Sequence, residues 1–152
     1  MFASIPGLKI YIPSFPSTIR DILHASVKSS DPVLIIEHRW LHYMNEEIDF
    51  KIRPKKIENI KKIRNGEDLT IVSSSYSTFE ILKIYDYLKQ TNISFDHLDI
   101  NILKPSNLNK IYSSVKKTGK LLILDNSVHK CCSFGANLIS ELVSKKKNIF
   151  KK

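Results

Sequence analysis

The sequence predicts an α/β fold built on a parallel sheet. Short apolar runs alternate with amphipathic helical stretches, the succession that lays helices over both faces of a sheet. Two of the runs, Val33-Leu34-Ile35-Ile36 and Leu121-Leu122-Ile123-Leu124, are unbroken in apolar residues, as expected of strands covered on both faces. The segments between them break at Pro, Gly, Asn and Ser.

Leu8–Ser14 alternates apolar residues and ends at Pro13-Ser14, so it reads as a strand. Pro16 suits the first turn of the helix that follows, where its missing N–H is not needed. Ile19, Ile22, Leu23 and Val27 recur at helical spacing, and Asp21 lies toward the positive end of the helix dipole. Ser29, Ser30, Asp31 and Pro32 end the helix, and Val33–Glu37 is the next strand. This first strand–helix–strand unit cannot bury its own faces, so it must pack on the rest of the chain or on a partner.

Met44–Lys56 is polar, charged and broken by Pro54, and reads as a linker. Ile57–Arg64 is open between strand and helix. Asn65-Gly66 is a turn and Leu69–Ser73 a strand. A helix then carries Phe79, Ile81, Leu82, Ile84, Tyr85 and Leu88 on its inner side and closes at Thr91-Asn92. Ser94–Ile100 is a strand. Lys104-Pro105-Ser106-Asn107 breaks the chain before a helix over Leu108–Lys117, which Thr118-Gly119 stops. Leu121–Asp125 is a buried strand, and Gly135–Ser144 an amphipathic helix with Leu138, Ile139, Leu142 and Val143.

The 152 residues are 42% hydrophobic, enough for a packed core rather than a disordered chain. No apolar run approaches the length that spans a bilayer. The N-terminal MFASIPGLKI lacks a basic region followed by an apolar run, so no secretory signal is read there and a cytoplasmic location is expected. The net charge of +9 permits attraction to nucleic acid or another anionic partner. Its lysines, however, are scattered through Lys51–Arg64, Lys116–Lys120 and Lys145–Lys152 without interleaved stacking aromatics. That pattern favours a solvated surface, with a basic binding module as the alternative reading.

Two adjacent cysteines, Cys131 and Cys132, make no disulfide framework. With His129 they form an H-x-C-C cluster, short of the four spaced ligands of structural zinc. Open parallel sheets bind ligands at the carboxyl ends of their strands, which selects the loops Ser14–Ser17, Glu37–Tyr43, Ser73–Ser77, Ile100–Pro105 and Asp125–Phe134. Ser73–Ser77 precedes a helix whose N–H groups suit a phosphate, but it lacks the glycines of a phosphate-binding fingerprint, and N-capping serves equally. Glu37 and His38 have acid–base chemistry available. As neighbours on a strand they point to opposite faces, which favours a subunit contact made by Glu37, His38, Arg39 and Trp40.

Ile5-Pro6-Gly7-Leu8-Lys9, Pro13-Ser14, Asp31-Pro32-Val33 and Glu37-His38-Arg39-Trp40 together resemble the end of the pyrimidine-binding domain in the beta subunit of thiamine-diphosphate-dependent 2-oxo acid dehydrogenases, of the pyruvate dehydrogenase type. Asn65-Gly66-Glu67-Asp68-Leu69-Thr70-Ile71-Val72 is similar to the opening of the transketolase C-terminal domain. Leu98-Asp99-Ile100, Leu103-Lys104-Pro105, Ser114-Val115-Lys116-Lys117-Thr118-Gly119-Lys120-Leu121 and Phe134-Gly135-Ala136 continue that pattern in order. The resemblance implies a three-layer, mainly parallel sheet of the transketolase C-terminal type over 57–152, with a mixed edge. A linker at 44–56 would join it to the last strand–helix–strand unit of a pyrimidine-binding domain at 1–43.

It also implies thiamine diphosphate and magnesium in the intact assembly. The glutamate that activates the cofactor and an active-site histidine would lie upstream of this chain, and the diphosphate on an alpha-type subunit. Both ends of the chain then look cut. No residue within 1–152 is expected to be catalytic or cofactor-binding. A potassium ion held largely by backbone carbonyls would map to Ser26, Val27, Ser29 and Asp31. The expected role is structural, through association with an alpha-type subunit, a second copy of this chain or an acyltransferase core. If the first unit lacks sheet neighbours, Leu8–Ile12 and Val33–Ile36 are expected to present unpaired edges.

Overall fold

The computed structural model describes residues 2–126 and 133–145. Among these residues, seven strands form two sheets. β1 (Lys9–Tyr11), β2 (Val33–Ile35) and β6 (Ile102–Lys104) make one, in the order β2-β1-β6. β3 (Ile60–Arg64), β4 (Leu69–Ser73), β5 (Phe95–Ile100) and β7 (Leu121–Ile123) make the other, in the order β3-β5-β4-β7. β4 is parallel to both β5 and β7, and β1 is parallel to β2. The antiparallel members are β3 on β5 and β6 on β1.

β6 was not foreseen from the sequence. After β5 the chain turns through Asn101 and gives its next three residues to the other sheet. There they pair with β1, Ile10 opposite Lys104 and Tyr11 opposite Ile102. β1 is therefore a central strand, with Ile10 buried, and the expectation of an unpaired edge at Leu8–Ile12 is corrected. Among the described residues, β2 keeps one open edge. It is half-buried along its length rather than covered on both faces.

α1 (Pro16–Val27) starts at Pro16 and buries Thr18 and Ile22. A short 3-10 helix, Arg39–Tyr43, leads into the irregular stretch before β3. The ambiguous Ile57–Arg64 becomes β3 because β5 offers it a ladder, Ile60 opposite Ile100 and Lys62 opposite Leu98. The single helix expected after Ser77 is two, α2 (Tyr76–Lys83) and α3 (Tyr85–Gln90), hinged at Ile84. α4 (Asn109–Thr118) stops at Gly119, whose φ of +73° is the left-handed cap glycine accepts without strain. α5 (Phe134–Lys145) turns Leu138 and Leu142 inward and leaves Ile139 and Val143 partly exposed.

The four-stranded sheet is covered on both faces. Ile60, Val72, Leu98, Ile100, Ile111, Val115, Leu138 and Leu142 pack together on the α4 and α5 side, and Ile71, Ile81 and Phe95 on the α2 and α3 side. β7 is an edge strand with Leu122 46% exposed, so the reading of Leu121–Asp125 as fully buried is also corrected. Among the described residues, no helix is long and apolar enough to cross a membrane.

Candidate functional site

Four of the five loops selected from the sequence meet at one crevice of about 300 Å³, at the carboxyl ends of the strands. Glu37 and His38 line it from the end of β2, Ser74, Ser75 and Ser77 from the end of β4, Leu103 from β6, and Asp125, Asn126 and Phe134 from the end of β7. Ser75 opens α2 with a φ of +51°, a conformation that non-glycine residues seldom adopt. Two serine hydroxyls of this loop, those of Ser73 and Ser77, are used internally. Ser77 donates to Asn126 at 3.1 Å, and Ser73 faces the interior. Asp125 Oδ2 accepts from the Gly135 N–H at 2.7 Å, and Glu37 pairs with His42 at 3.2 Å. With two carboxylates and no lysine or arginine among its described lining residues, the crevice does not suit a diphosphate. Among the described residues, no three His, Cys, Asp or Glu side chains converge as metal ligands, and the His129–Cys132 cluster lies outside those residues.

His38 stacks on Tyr76 at 4.6 Å between ring centroids, and Trp40 meets Tyr76 edge-on at 5.0 Å. Trp40 remains 60% exposed. The sequence-selected run Glu37–Trp40 thus lies at the rim of the crevice with its aromatic surface turned out.

Ser14, from the fifth loop, is drawn instead into a buried relay. Its hydroxyl donates to Asp99 Oδ1 at 2.6 Å, and Thr78 Oγ1 donates to the same oxygen at 2.6 Å. Thr78 has spent its proton on the carboxylate, so it accepts from Ser73, 2.8 Å away. Ser73 must then accept from His97 Nε2 at 2.6 Å, and His97 Nδ1 accepts from Tyr85. An ionised Asp99 therefore fixes the direction of every link and the tautomer of His97. Burial favours the neutral form of all three titratable members. Asp99 is pushed up to about 6, against the hydrogen bonds from Ser14 and Thr78 and the charge of Lys61. His97 is pushed down to about 4, and Tyr85 up to about 12. The sequence names Ser14, Ser73, Tyr85 and Asp99 for other reasons and singles out neither Thr78 nor His97. The sequence reads Ser94–Ile100 as a strand, and the structure buries all six residues of Phe95–Ile100, the polar ones included.

On the opposite face of β5, burial also pushes the Asp96 carboxyl up. The Ser114 hydroxyl, the Gly66 N–H, Lys62 and Lys117 outweigh that and hold it below 3.8. Lys62 and Lys117 approach at 3.0 and 3.1 Å. Other lysines are paired at the surface, Lys110 with Glu58, Lys83 with Glu80 and Lys89 with Asp86.

The loop that ends α1 is held by Lys9, whose ammonium lies 3.0 Å from Ser29 Oγ and 3.0 Å from Asp31 Oδ2. Ser26 Oγ donates back to the Ile22 carbonyl, and Val27 is exposed.

Residues 58–149 match the transketolase C-terminal domain. The chain is 31% identical over 149 residues to the pyruvate dehydrogenase E1 component subunit beta of Staphylococcus epidermidis, covering 95% of this chain and 45% of that relative. It is 28% identical over 143 residues to its Bacillus subtilis counterpart, covering 93% and 44%. A solved structure titled "Split gene transketolase, inactive beta4 tetramer" superposes with a TM-score of 0.73 at 21% identity, covering 95% of this chain and 46% of that one; it shows the shared fold. The chain therefore spans under half the length of these relatives. On the domain match over more than half its residues, with the strand order and layers described above, the chain belongs to the transketolase C-terminal domain family.

Proposed function

We propose that this chain is a partial, beta-subunit-like component of a thiamine-diphosphate-dependent 2-oxo acid dehydrogenase or transketolase-like enzyme. Its role is structural and associative, without activity of its own. The division into 1–43, a linker at 44–56 and a family domain at 57–152 is part of this proposal. The observation that supports it is the β6–β1 pairing. It joins the first strand–helix–strand unit to the family domain and leaves the outer edge of β2 open among the described residues. That edge is where further strands of a pyrimidine-binding domain would add.

Thiamine diphosphate, with its magnesium, would then be held by an alpha-type subunit or by other parts of the assembly, since the crevice offers a diphosphate no lysine or arginine among its described lining residues. Glu37, His38, Arg39 and Trp40 are proposed as a contact to an alpha-type subunit or a second copy, with an acyltransferase core as a further partner. Potassium at Ser26, Val27, Ser29 and Asp31 would have to rely on backbone carbonyls, because Lys9 already uses the side-chain oxygens of Ser29 and Asp31. Two cysteines in the whole chain fit a reducing, cytoplasmic setting. The scatter of the lysines along the chain, without interleaved aromatics, supports this reading over a nucleic-acid-binding module.

Calorimetric titration of thiamine diphosphate with magnesium into the purified chain tests the proposal. The expected result is no saturable heat. Saturable binding would mean that residues within 1–152 assemble a cofactor site, and the associative reading would fall. Trp40, the only tryptophan, reports the proposed contact. Its emission is expected to shift to the blue as self-association or an added alpha-type subunit covers it. An emission maximum unchanged across a demonstrated association would remove Trp40 from the interface.

A further inference from the structure

A second cavity lies where α1, the stretch before β3 and the β5–β6 crossover meet. It is polar, with a volume of about 220 Å³, below the roughly 300–1,000 Å³ of pockets for drug-sized ligands. Its charges do not balance. Of its two acids, Asp21 is paired with Arg20 at 2.9 Å and Glu58 with Lys110. That leaves Lys55, Lys56 and Lys61, none with an ion-pair partner among the described residues. Lys61 is held in place by the Phe15 ring, 4.5 Å from its ammonium. The first turn of α1 adds little, because Glu46 already takes the Ser17 N–H and hydroxyl at 2.8 and 2.9 Å.

The wall of this cavity also contains Asn101, which is 2% exposed. Its backbone is tied on both sides: its carbonyl accepts from Ile12, and its N–H donates to Asn59. Its side-chain Nδ2 donates to the Glu58 carbonyl at 3.3 Å, which fixes the amide orientation and turns Oδ1 to the acceptor side. Oδ1 is buried and has no hydrogen-bond partner. A buried acceptor without a donor costs about 1–3 kcal/mol, so its persistence beside Lys55 and Lys56, which have no ion-pair partner among the described residues, and Lys61, whose charge also acts on Asp99, points to what it receives. The ligand must be negative overall and must still offer a proton.

We infer that the cavity lined by Lys55, Lys56, Lys61 and Asn101 is a binding site for a small protonated oxyanion of the phosphate class. The lysines neutralise its charge, and Asn101 Oδ1 accepts from its P–OH or from a hydroxyl beside the phosphate. Phosphate keeps at least one proton at neutral pH. Sulfate, of similar size and charge, keeps none and leaves Asn101 unsatisfied. The site is separate from the crevice and independent of the associative role proposed above.

The full chain, isotopically labelled, is titrated with inorganic phosphate, sulfate and glycerol 3-phosphate at neutral pH and constant ionic strength, following the Asn101 side-chain amide and the Lys61 backbone amide by NMR. Saturable shifts are expected, with phosphate binding about fivefold tighter than sulfate, the factor one hydrogen bond supplies. Asn101→Ala is expected to erase that preference. Lys55→Gln/Lys56→Gln, on the exposed side of the cavity, tests the site without touching the core and is expected to weaken all three ligands about threefold or more. Glycerol 3-phosphate binding at least as tightly as phosphate identifies a phosphorylated metabolite as the occupant; tighter binding of phosphate identifies the free ion. Absence of saturable shifts, equal affinity for sulfate and phosphate, or affinity unchanged in the double lysine variant would each overturn the assignment.

Discussion

Asp99 and His97 are fully buried, lie two residues apart on one face of β5, and make opposite contributions to stability as pH changes. The Asp99 carboxyl is raised from 3.8 to about 6 by burial. Between these values the folded chain holds more of this proton than the unfolded chain, so stability falls as pH rises through the window. The penalty is complete above about 6 and amounts to about 3 kcal/mol at 1.36 kcal/mol per pH unit. His97 is lowered from 6.5 to about 4, again by burial. Here the unfolded chain holds more protons, and stability rises with pH through the window by a similar amount, about 3 kcal/mol. The windows nearly coincide, so the wild type is expected to be almost flat between about pH 4 and 6.5. Asp99→Asn removes one side of the balance and leaves a loss of about 3 kcal/mol on acidification through the His97 window. Near pH 7 the same variant should be close to neutral. The relieved carboxylate penalty is offset by an unpaired Nδ2 in place of Oδ2, which costs about 1–3 kcal/mol. His97→Gln should do the reverse and gain stability on acidification. Urea denaturation followed by circular dichroism at several pH values measures these slopes. If the Asp99→Asn slope matches the wild type, the two titrations do not oppose each other and the reasoning fails.

Gly66 lies so close to β5 that an added Cβ would meet the Phe95 backbone nitrogen at 2.1 Å. Gly66→Ala should therefore cost about 3 kcal/mol, read as a lower urea midpoint. Ile111→Ala empties a fully buried core position and should cost about 2–5 kcal/mol, whereas Leu122→Ala, on the exposed edge strand, should cost under about 1 kcal/mol in the same assay. Ser14→Ala takes one of the two donors from buried Asp99 Oδ1. It should destabilise the chain by about 1–3 kcal/mol at neutral pH and by less under acid conditions, where the carboxyl is protonated. The open edge of β2 should make the isolated chain self-associate; a single monomeric species at high concentration in light scattering would count against that.

The sequence by itself determined the elements whose signals are local. Pro16 starts α1, Gly119 stops α4, and the spacing of Leu138 with Leu142 marks the buried face of α5. The motifs spread along the chain also carried the family, because each rests on residue identity rather than on contacts. Pairing was different. Ile102-Leu103-Lys104 is too short to signal a strand, and it becomes β6 because β1 offers an unpaired edge about ninety residues earlier in the chain. Ile57–Arg64 gave no periodic signal, and its pairing with β5 decided it. The polar residues of β5 were the least legible. Asp96, His97 and Asp99 normally mark an exposed face. Here Ser14, Ser73, Thr78 and Ser114, from four different elements or loops, supply the hydrogen bonds that let them be buried. A buried polar group is stable only when its partners are in place, and those partners are brought together by the tertiary structure alone.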